Sequence, residues 1–221
     1  DVCYHQANVK IVAVGGGFSY GSLGISHHAL EDITVMRAMP NMTVLAPGDP
    51  VEVERATAAL IDYPGPCYLR LGRAGEQIIH PDNLEFTIGK AIKVRHGTDL
   101  TIISTGALLE RAIEVSDLLA GKGISVSVIS MHTIKPLDTD AILKAGQDTG
   151  AIATLEEHTI LGGLGGAVSE IIAESSLKET RFTRIGLESR FAESAGSQEY
   201  LRNSFGLSAD NIVQRLMEFI S

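Results

Sequence analysis

The sequence lacks the features of secreted, disulfide-rich and membrane proteins. Its 221 residues include only two cysteines, Cys3 and Cys67, which stand far apart and form no CxxC pair. No signal peptide and no long apolar run is visible. These absences predict a reduced, soluble, cytoplasmic protein. The first residue is not Met, so we expect that the natural start lies upstream.

Positive charge is also scarce. The chain has 18 Lys and Arg against 27 Asp and Glu, a formal net charge of -9. Nucleic acids and anionic membrane surfaces need a basic face on their partner, so neither is an expected partner. An anionic small substrate would need a local basic pocket. Internal repeats, low-complexity tracts and heptads are absent as well.

Strand and helix patterns alternate along the chain, and a 44% hydrophobic content suffices for two modest cores. Alternation of this kind predicts an α/β protein with mostly parallel sheets. In the first part we predict strands at 10–14, 42–47 and 67–71 and helices at 28–39 and from Asp49-Pro50 onward. In the second part we predict strands at 91–94, 100–105, 125–130 and 151–157 and helices at 108–120, 138–145, 164–174 and 208–220.

The predicted organisation is two domains, 1–73 and 87–221, joined by a linker at 74–86 that is rich in turn-forming residues. The first domain looks incomplete, because three strands form a narrow sheet with one face and one edge poorly covered. We therefore expect an upstream segment or a partner chain to supply further strands. The fold class is two open, mostly parallel sheets with flanking helices, the first domain being incomplete.

The stretch "GGGFSYGSLGISHHALED" at 15–32 combines glycines with two histidines. It fits a loose dinucleotide-binding pattern, but the following helix starts too late for a phosphate cradle. The glycines "GGLGG" at 162–166 indicate close packing of a helix on a sheet. His27 and His28 would point about 100° apart on a helix, so no metal site is predicted. A histidine here either caps and packs the helix or faces a ligand at the carboxyl end of a strand.

Several segments resemble the transketolase family in order along nearly the whole chain. "GGFSYGSLGISHHALEDITVMRAMPNMTVLAPGDPVEVERA" and "GPCYLRLGR" resemble the later part of its pyrimidine-binding domain. "GTDLTIISTGALLERAIEVSDLLAGKGISVSVISMHTIKPLD" and "EEHTILGGLGGAV" resemble its C-terminal domain. The resemblance implies the C-terminal portion, or a separate C-terminal subunit, of an enzyme that transfers a two-carbon ketol unit between sugars.

The resemblance also implies roles for two residues. His27 matches a histidine beside the reactive carbon of thiamine diphosphate, where it hydrogen-bonds the donor sugar or the intermediate, so His27 is the predicted catalytic residue. Arg73 matches an arginine that binds a substrate phosphate, a task suited to a guanidinium because it meets two oxygens at once. Arg70 we interpret as structural.

Two departures from the family pattern concern the substrate. Ser22, Leu23 and Gly24 stand where most transketolases have Glu-Asp-Gly, so an apolar side chain replaces an aspartate that contacts a substrate hydroxyl. Gly15 stands where many have a histidine that contacts the phosphate. The particular sugar or sugar phosphate is therefore left open.

The family's cofactor machinery lies upstream of the residues present. Its activating glutamate and ring-stacking aromatic precede this segment, and another domain or subunit holds the diphosphate and magnesium. We therefore expect no cofactor on this chain alone, no assignable cofactor-binding residue, and no activity without an N-terminal half or partner subunit. The C-terminal part is expected to form a homodimer.

Other residues of these segments suit capping, interface or pocket positions. Glu31 and Asp32 suit a capping role in the first turn of a helix, and Glu156, Glu157 and His158 are interpreted as part of a dimer interface. Phe18 and Tyr20 either line the pocket mouth or pack beneath it.

Alternative functions are 1-deoxyxylulose 5-phosphate synthase, the β component of a 2-oxo acid dehydrogenase, or a non-catalytic assembly subunit.

Overall fold

A computed structural model describes residues 1–221 as two sheets with helices around them. The nine strands are β1 (Lys10–Val14), β2 (Thr43–Leu45), β3 (Cys67–Leu71), β4 (Ile92–Arg95), β5 (Leu100–Ser104), β6 (Val126–Ser130), β7 (Thr133–Lys135), β8 (Ala151–Thr159) and β9 (Arg181–Leu187). The seven helices are α1 (Asp32–Ala38), α2 (Pro50–Asp62), α3 (Leu109–Ala120), α4 (Thr139–Thr149), α5 (Leu164–Glu174), α6 (Gln198–Ser204) and α7 (Ala209–Ile220).

The first sheet has the strand order β1-β3-β2-β7. Its first three strands are parallel, and β7 pairs antiparallel with β2. The sheet therefore has four strands where the sequence predicted three, because the second half of the chain contributes one. At the opposite edge, Val12 and Val14 of β1 are 54% and 58% exposed. The expected poorly covered edge is present.

The second sheet has the order β4-β6-β5-β8-β9 and is parallel except for β4. Every residue of β5, β6 and β8 is buried, as expected for central strands covered on both faces. The prediction of two open, mostly parallel sheets with flanking helices is confirmed.

The prediction of a helix at 28–39 placed its start too early. Residues Ile25–His27 form a short 3-10 turn, His28 is extended, and α1 starts only at Asp32. The start of α2 was predicted correctly, since Asp49 caps it by accepting a hydrogen bond from the Glu52 amide and Pro50 is its first residue. None of the helices has the length and apolar character that crossing a membrane requires.

The hydrophobic cores run across both halves of the chain. Phe18 and Leu30, from the segment after β1, are buried in the largest cluster together with side chains of α3 and α7. Val44 and Tyr68 of the first sheet share a second cluster with Ile103 of the second. The segment that follows β1 is thus packed against the second sheet.

Candidate functional site

The candidate site begins where β1 and β3 end side by side. The two strands are parallel and in register, with Val14 opposite Leu71, so the chain leaves both at the same edge. The amides of Gly15 and Gly16 donate to the Leu71 carbonyl over 3.0 and 2.9 Å. The glycine loop is therefore held against Leu71, two residues before Arg73. Ligands of open α/β folds bind at this carboxyl edge.

Arg73 lines a groove of about 370 Å³ between the ends of these strands and α6. Most of the lining residues have polar side chains. The other polar side chains of the groove are Ser19, Ser22, Glu76, Glu110, Ser197, Gln198, Glu199 and Arg202. Burial raises the pKa of Glu76 above its ordinary value. An exposed guanidinium among hydroxyl, amide and carboxyl groups suits a ligand that carries both hydroxyls and an anionic group.

His27 does not line this groove. It ends the exposed 3-10 turn, where its Nδ1 lies 3.0 Å from the Ser26 hydroxyl oxygen. His28 turns inward instead: its ring packs edge-on against Phe18 at 5.2 Å, and its Nε2 lies 3.3 Å from the Gly21 carbonyl oxygen. The two neighbouring histidines therefore lie in different environments, His27 exposed and His28 turned inward. No cluster of His, Cys, Asp and Glu in the chain is arranged to hold a metal ion.

The chain's own side chains occupy the space beside the first glycines. A β-carbon on Gly16 would lie 2.7 Å from Arg70 Nε, and one on Gly17 would lie 2.7 Å from Glu157. Gly17 also has φ +68, which few other residues adopt. These glycines permit close packing, so the loop is not an open cradle for phosphate.

Arg70 is structural, as the sequence indicated. Its Nε donates to the Asp32 carboxylate at 2.9 Å, and its Nη2 donates to the carbonyls of Ala29 and Glu157. Tyr68 donates its hydroxyl to the same Asp32 carboxylate at 2.8 Å. Asp32 lies in the first turn of α1, as expected, but its carboxylate accepts from β3 and caps no amide of α1, and Glu31 at the N-cap position makes no side-chain capping bond either.

The three residues at the end of β8 are buried within the chain. Glu156 accepts hydrogen bonds from the amides of Leu164 and Gly165 at 2.7 and 2.8 Å, at the start of α5. Burial nevertheless raises the pKa of Glu156 to about 7 and lowers that of His158 to about 4. Since Glu156, Glu157 and His158 are no more than 3% exposed, their interpretation as a dimer interface is wrong.

The sequence did not identify Glu157, Gln198 and Arg202 as one cluster. Glu157 accepts from the Phe18 amide at 2.8 Å, from Gln198 Nε2 at 3.1 Å, and from Arg202 Nε and Nη2 at 2.9 and 2.5 Å. Phe18 is fully buried beneath the loop, which settles its role as packing. No local sequence pattern marked the cluster. Glu157 lies more than 40 residues from Gln198 and Arg202, and these two residues are on α6, a helix that was not predicted.

The glycine segments do not fit the diphosphate of a nucleotide or a thiamine cofactor. A phosphate binds most readily to free amides at a helix start. At α5 the Glu156 carboxylate already takes the amides of Leu164 and Gly165. At Gly16 and Gly17 the space is filled by Arg70 and Glu157. The two glycine segments therefore offer no site for a diphosphate.

The fold and this edge define an α/β protein with a polar groove between the two halves of the chain. Two family models match the chain: the transketolase pyrimidine binding domain over residues 1–75 and the transketolase C-terminal domain over residues 89–212. The chain belongs to the transketolase family. The resemblance expected from the sequence is confirmed, and the chain is part of a thiamine-diphosphate-dependent transferase.

Individual relatives agree with this family. One subunit of the apulose-4-phosphate transketolase of Phocaeicola vulgatus is 39% identical over 221 residues, all of this chain and 70% of the relative. A 1-deoxy-D-xylulose-5-phosphate synthase of Syntrophotalea carbinolica is 37% identical, over all of this chain and 34% of the relative. The solved "Split gene transketolase, inactive beta4 tetramer" matches with TM-score 0.89 and 32% identity, over 99% of this chain and 69% of that one.

Proposed function

We propose that this chain forms the sugar-facing wall of the active site of a two-component ketol transferase. The observation that carries the proposal is the meeting of the His27-bearing loop with the Arg73 strand end. Gly15 and Gly16 are hydrogen-bonded to Leu71, and Ser22 shares the groove with Arg73. His27 and Arg73, which match the histidine and the arginine of the family motifs, thus follow the neighbouring parallel strands β1 and β3 at the same edge of the sheet.

Each residue has a distinct task in the proposal. Arg73 binds the phosphate of a sugar phosphate through its guanidinium fork, and His27 hydrogen-bonds the donor or the intermediate at the reacting end. The relatives named for apulose 4-phosphate and 1-deoxyxylulose 5-phosphate both handle phosphorylated sugars. That common anionic group favours Arg73 as the specificity-determining residue.

The departures at Gly15 and Leu23 alter the sugar contacts. Gly15 has φ +103, and a side chain there would strike the Tyr20 ring, so no donor can replace the family's histidine at that place. Leu23 is exposed and offers no hydrogen bond, whereas Ser19 and Ser22 line the groove. We propose that these serines contact sugar hydroxyls instead of a carboxylate.

The proposal assigns the rest of the active site to another polypeptide segment. Thiamine diphosphate with magnesium is held by a partner subunit or N-terminal half, since one relative is itself named as a single subunit of a transketolase. Residues 1–73 act as the pyrimidine-binding part, 87–221 as the C-terminal domain and 74–86 as the linker. Two copies associate through the C-terminal part, and the assembly works in the cytoplasm.

His27→Ala in the reconstituted two-component enzyme tests the proposal. A lost hydrogen bond to the reacting group should lower kcat/KM for a ketose phosphate donor by about 100-fold or more. His96→Ala is the control, because His96 is exposed on the turn after β4 and distant in sequence from the site. Activity unchanged in His27→Ala would favour a purely assembling subunit.

A second function, 1-deoxyxylulose 5-phosphate synthesis, is favoured by the 37% identical relative. Pyruvate would then serve as donor and carbon dioxide would be released. Measuring carbon dioxide release from pyruvate beside ketol transfer from a ketose phosphate, with the same acceptor, distinguishes the two. The same pyruvate assay covers a role as the β component of a 2-oxo acid dehydrogenase, which would need no sugar acceptor.

A further inference from the structure

We propose that Glu157 and Arg202 are positioning residues for the loop that carries His27. The inference rests on the proposed function for its catalytic consequence, but the contacts themselves concern only this chain. Glu157 belongs to β8 of the second sheet and Arg202 to α6, whereas the loop at 15–27 belongs to the first sheet. The C-terminal half thereby contributes directly to the geometry of the candidate site.

Glu157 is a buried carboxylate whose hydrogen bonds converge on the loop. Only 3% of the residue is exposed. The Phe18 amide donates to its Oε1 at 2.8 Å, and Arg202 donates to its Oε2 through Nε and Nη2. Gln198 Nε2 lies 3.1 Å from both oxygens. The Arg202 guanidinium compensates the negative charge of the buried Glu157 carboxylate, and this carboxylate is the acceptor of the Phe18 amide.

The loop has little freedom at the point where Glu157 holds it. Gly17 pairs with Ala29 through two backbone hydrogen bonds of 2.9 and 3.1 Å, which closes the loop around His27. Phe18 is fully buried, and its ring lies 5.2 Å from that of Phe205 just after α6. Fixing Gly17 and Phe18 therefore fixes both ends of the loop.

A second contact from the same segment holds the middle of the loop. The Gly196 amide donates to the Gly21 carbonyl at 3.2 Å. A β-carbon on Gly21 would lie 2.5 Å from Leu201, so α6 packs directly on the loop backbone. Gln198 and Arg202 also line the groove beside Arg73. Displacement of α6 would thus shift the groove and the loop together.

Loss of Arg202 should release the loop. The Glu157 carboxylate would be left buried without its cation, which favours its movement toward water. That movement weakens its bond to the Phe18 amide. Replacing Glu157 by Gln in the same chain removes the uncompensated charge while keeping a carbonyl oxygen for the Phe18 amide. The double variant should therefore recover part of what the single variant loses.

Hydrogen exchange of the full chain without its partner tests the contact. In Arg202→Met, amide exchange in peptides covering 15–24 should accelerate by about 10-fold or more, while peptides of β5 stay protected. Arg111→Gln is the matched control, because it breaks the other side-chain pair of α6, from Arg111 Nη2 to both Glu199 oxygens at 2.7 and 2.8 Å. Equal acceleration in both variants, or none in Arg202→Met, overturns the proposal.

The reconstituted enzyme tests the catalytic consequence. Arg202→Met should lower kcat by about 10-fold with a smaller change in KM, since a displaced His27 affects the reacting group more than phosphate binding. Glu157→Gln/Arg202→Met should recover part of kcat and of the exchange protection. If Arg202→Met does not fold, Arg202→Lys is measured instead: it keeps the cation but loses the paired contact of Nε and Nη2 with Glu157, so a smaller acceleration of exchange in 15–24 is expected, and no acceleration would overturn the proposal.

The two experiments separate this inference from the proposed function. Loop release without any effect of His27→Ala means that the contact exists but the function is wrong. A large effect of His27→Ala with a protected loop in Arg202→Met means that the function holds and the positioning role is wrong.

Discussion

Arg73 is the exposed cation of the groove, and its neighbours leave its guanidinium free for a ligand. It follows β3 by two residues, and no side-chain hydrogen bond or ion pair within the chain engages it. Arg70 and Arg202, by contrast, are committed to Asp32 and Glu157. At the scale of single residues, this difference separates the arginine proposed to bind substrate from two that are engaged within the chain.

Arg73→Ala in the complete enzyme should raise KM for a phosphorylated donor more than for its dephosphorylated analogue. Loss of one charge-assisted contact costs about 1.5 to 3 kcal/mol, or roughly 10- to 100-fold in KM. Steady-state kinetics with both donors measure the difference. Arg95→Ala on the edge strand β4 serves as control, and equal losses for both donors in Arg73→Ala would contradict a phosphate contact.

Single-residue predictions succeeded where the reason was local and missed where it was not. The packing role of the glycines at 162–166 follows from their small size, and a β-carbon on Gly165 would indeed lie 2.8 Å from Thr154 and Arg184. The partners of Asp32 and Glu157 lie 38 and 45 residues away at Arg70 and Arg202. Such pairs depend on topology, which spacing along the chain does not encode.

At the scale of elements, one buried carboxylate at the start of α2 makes several contacts at once. Asp49 is 2% exposed and accepts hydrogen bonds from the amides of Glu52, Ile79 and His80. Its Oδ1 also lies 3.2 Å from His80 Nδ1. Burial acts to raise the pKa of Asp49, but these hydrogen bonds outweigh burial and lower it to about 2. One side chain thus caps a helix and holds the segment after β3.

Asp49→Ala should destabilise the chain by about 3 to 5 kcal/mol, because it leaves a buried histidine and several amides without their acceptor. Ser208→Ala is the matched control, since Ser208 caps α7 by accepting only from the Asn211 amide at 3.3 Å. An ordinary cap contributes about 1 kcal/mol. Urea unfolding of both variants at pH 7 gives the comparison, and equal losses would show that Asp49 is an ordinary cap.

Elements with strong periodicity were predicted well, and short or irregular ones were not. β1, β3 and α5 were located to the residue because each is a clear apolar run or an amphipathic stretch with a distinct start. β7 has three residues and exists only through its pairing with β2. β9 and α6 were also missed, and α6 supplies part of the groove. The candidate site was consequently predicted from one side only.

At the scale of the whole molecule, the two sheets form one packed unit around the groove. The strand β7 from the second half completes the first sheet, and Phe18 from the first half completes the core of the second. The edge strand β1 remains open, with Val12 and Val14 exposed. The molecule thus has a closed junction between its halves and an open edge on the side of the first sheet.

The chain by itself should not bind thiamine diphosphate, although its family depends on that cofactor. Affinity for a diphosphate comes from free amides at a helix start, from cations or from a bound metal. Here Glu156 occupies the amides of Leu164 and Gly165, and no side-chain cluster is arranged for magnesium. Isothermal titration of the purified chain with thiamine diphosphate and magnesium should give no saturable binding tighter than about 1 mM. The same titration of the reconstituted two-component enzyme is the control and should saturate if, as proposed, the partner supplies the diphosphate site. A micromolar dissociation constant for the chain alone would mean that the cofactor binds at a surface other than the two glycine segments.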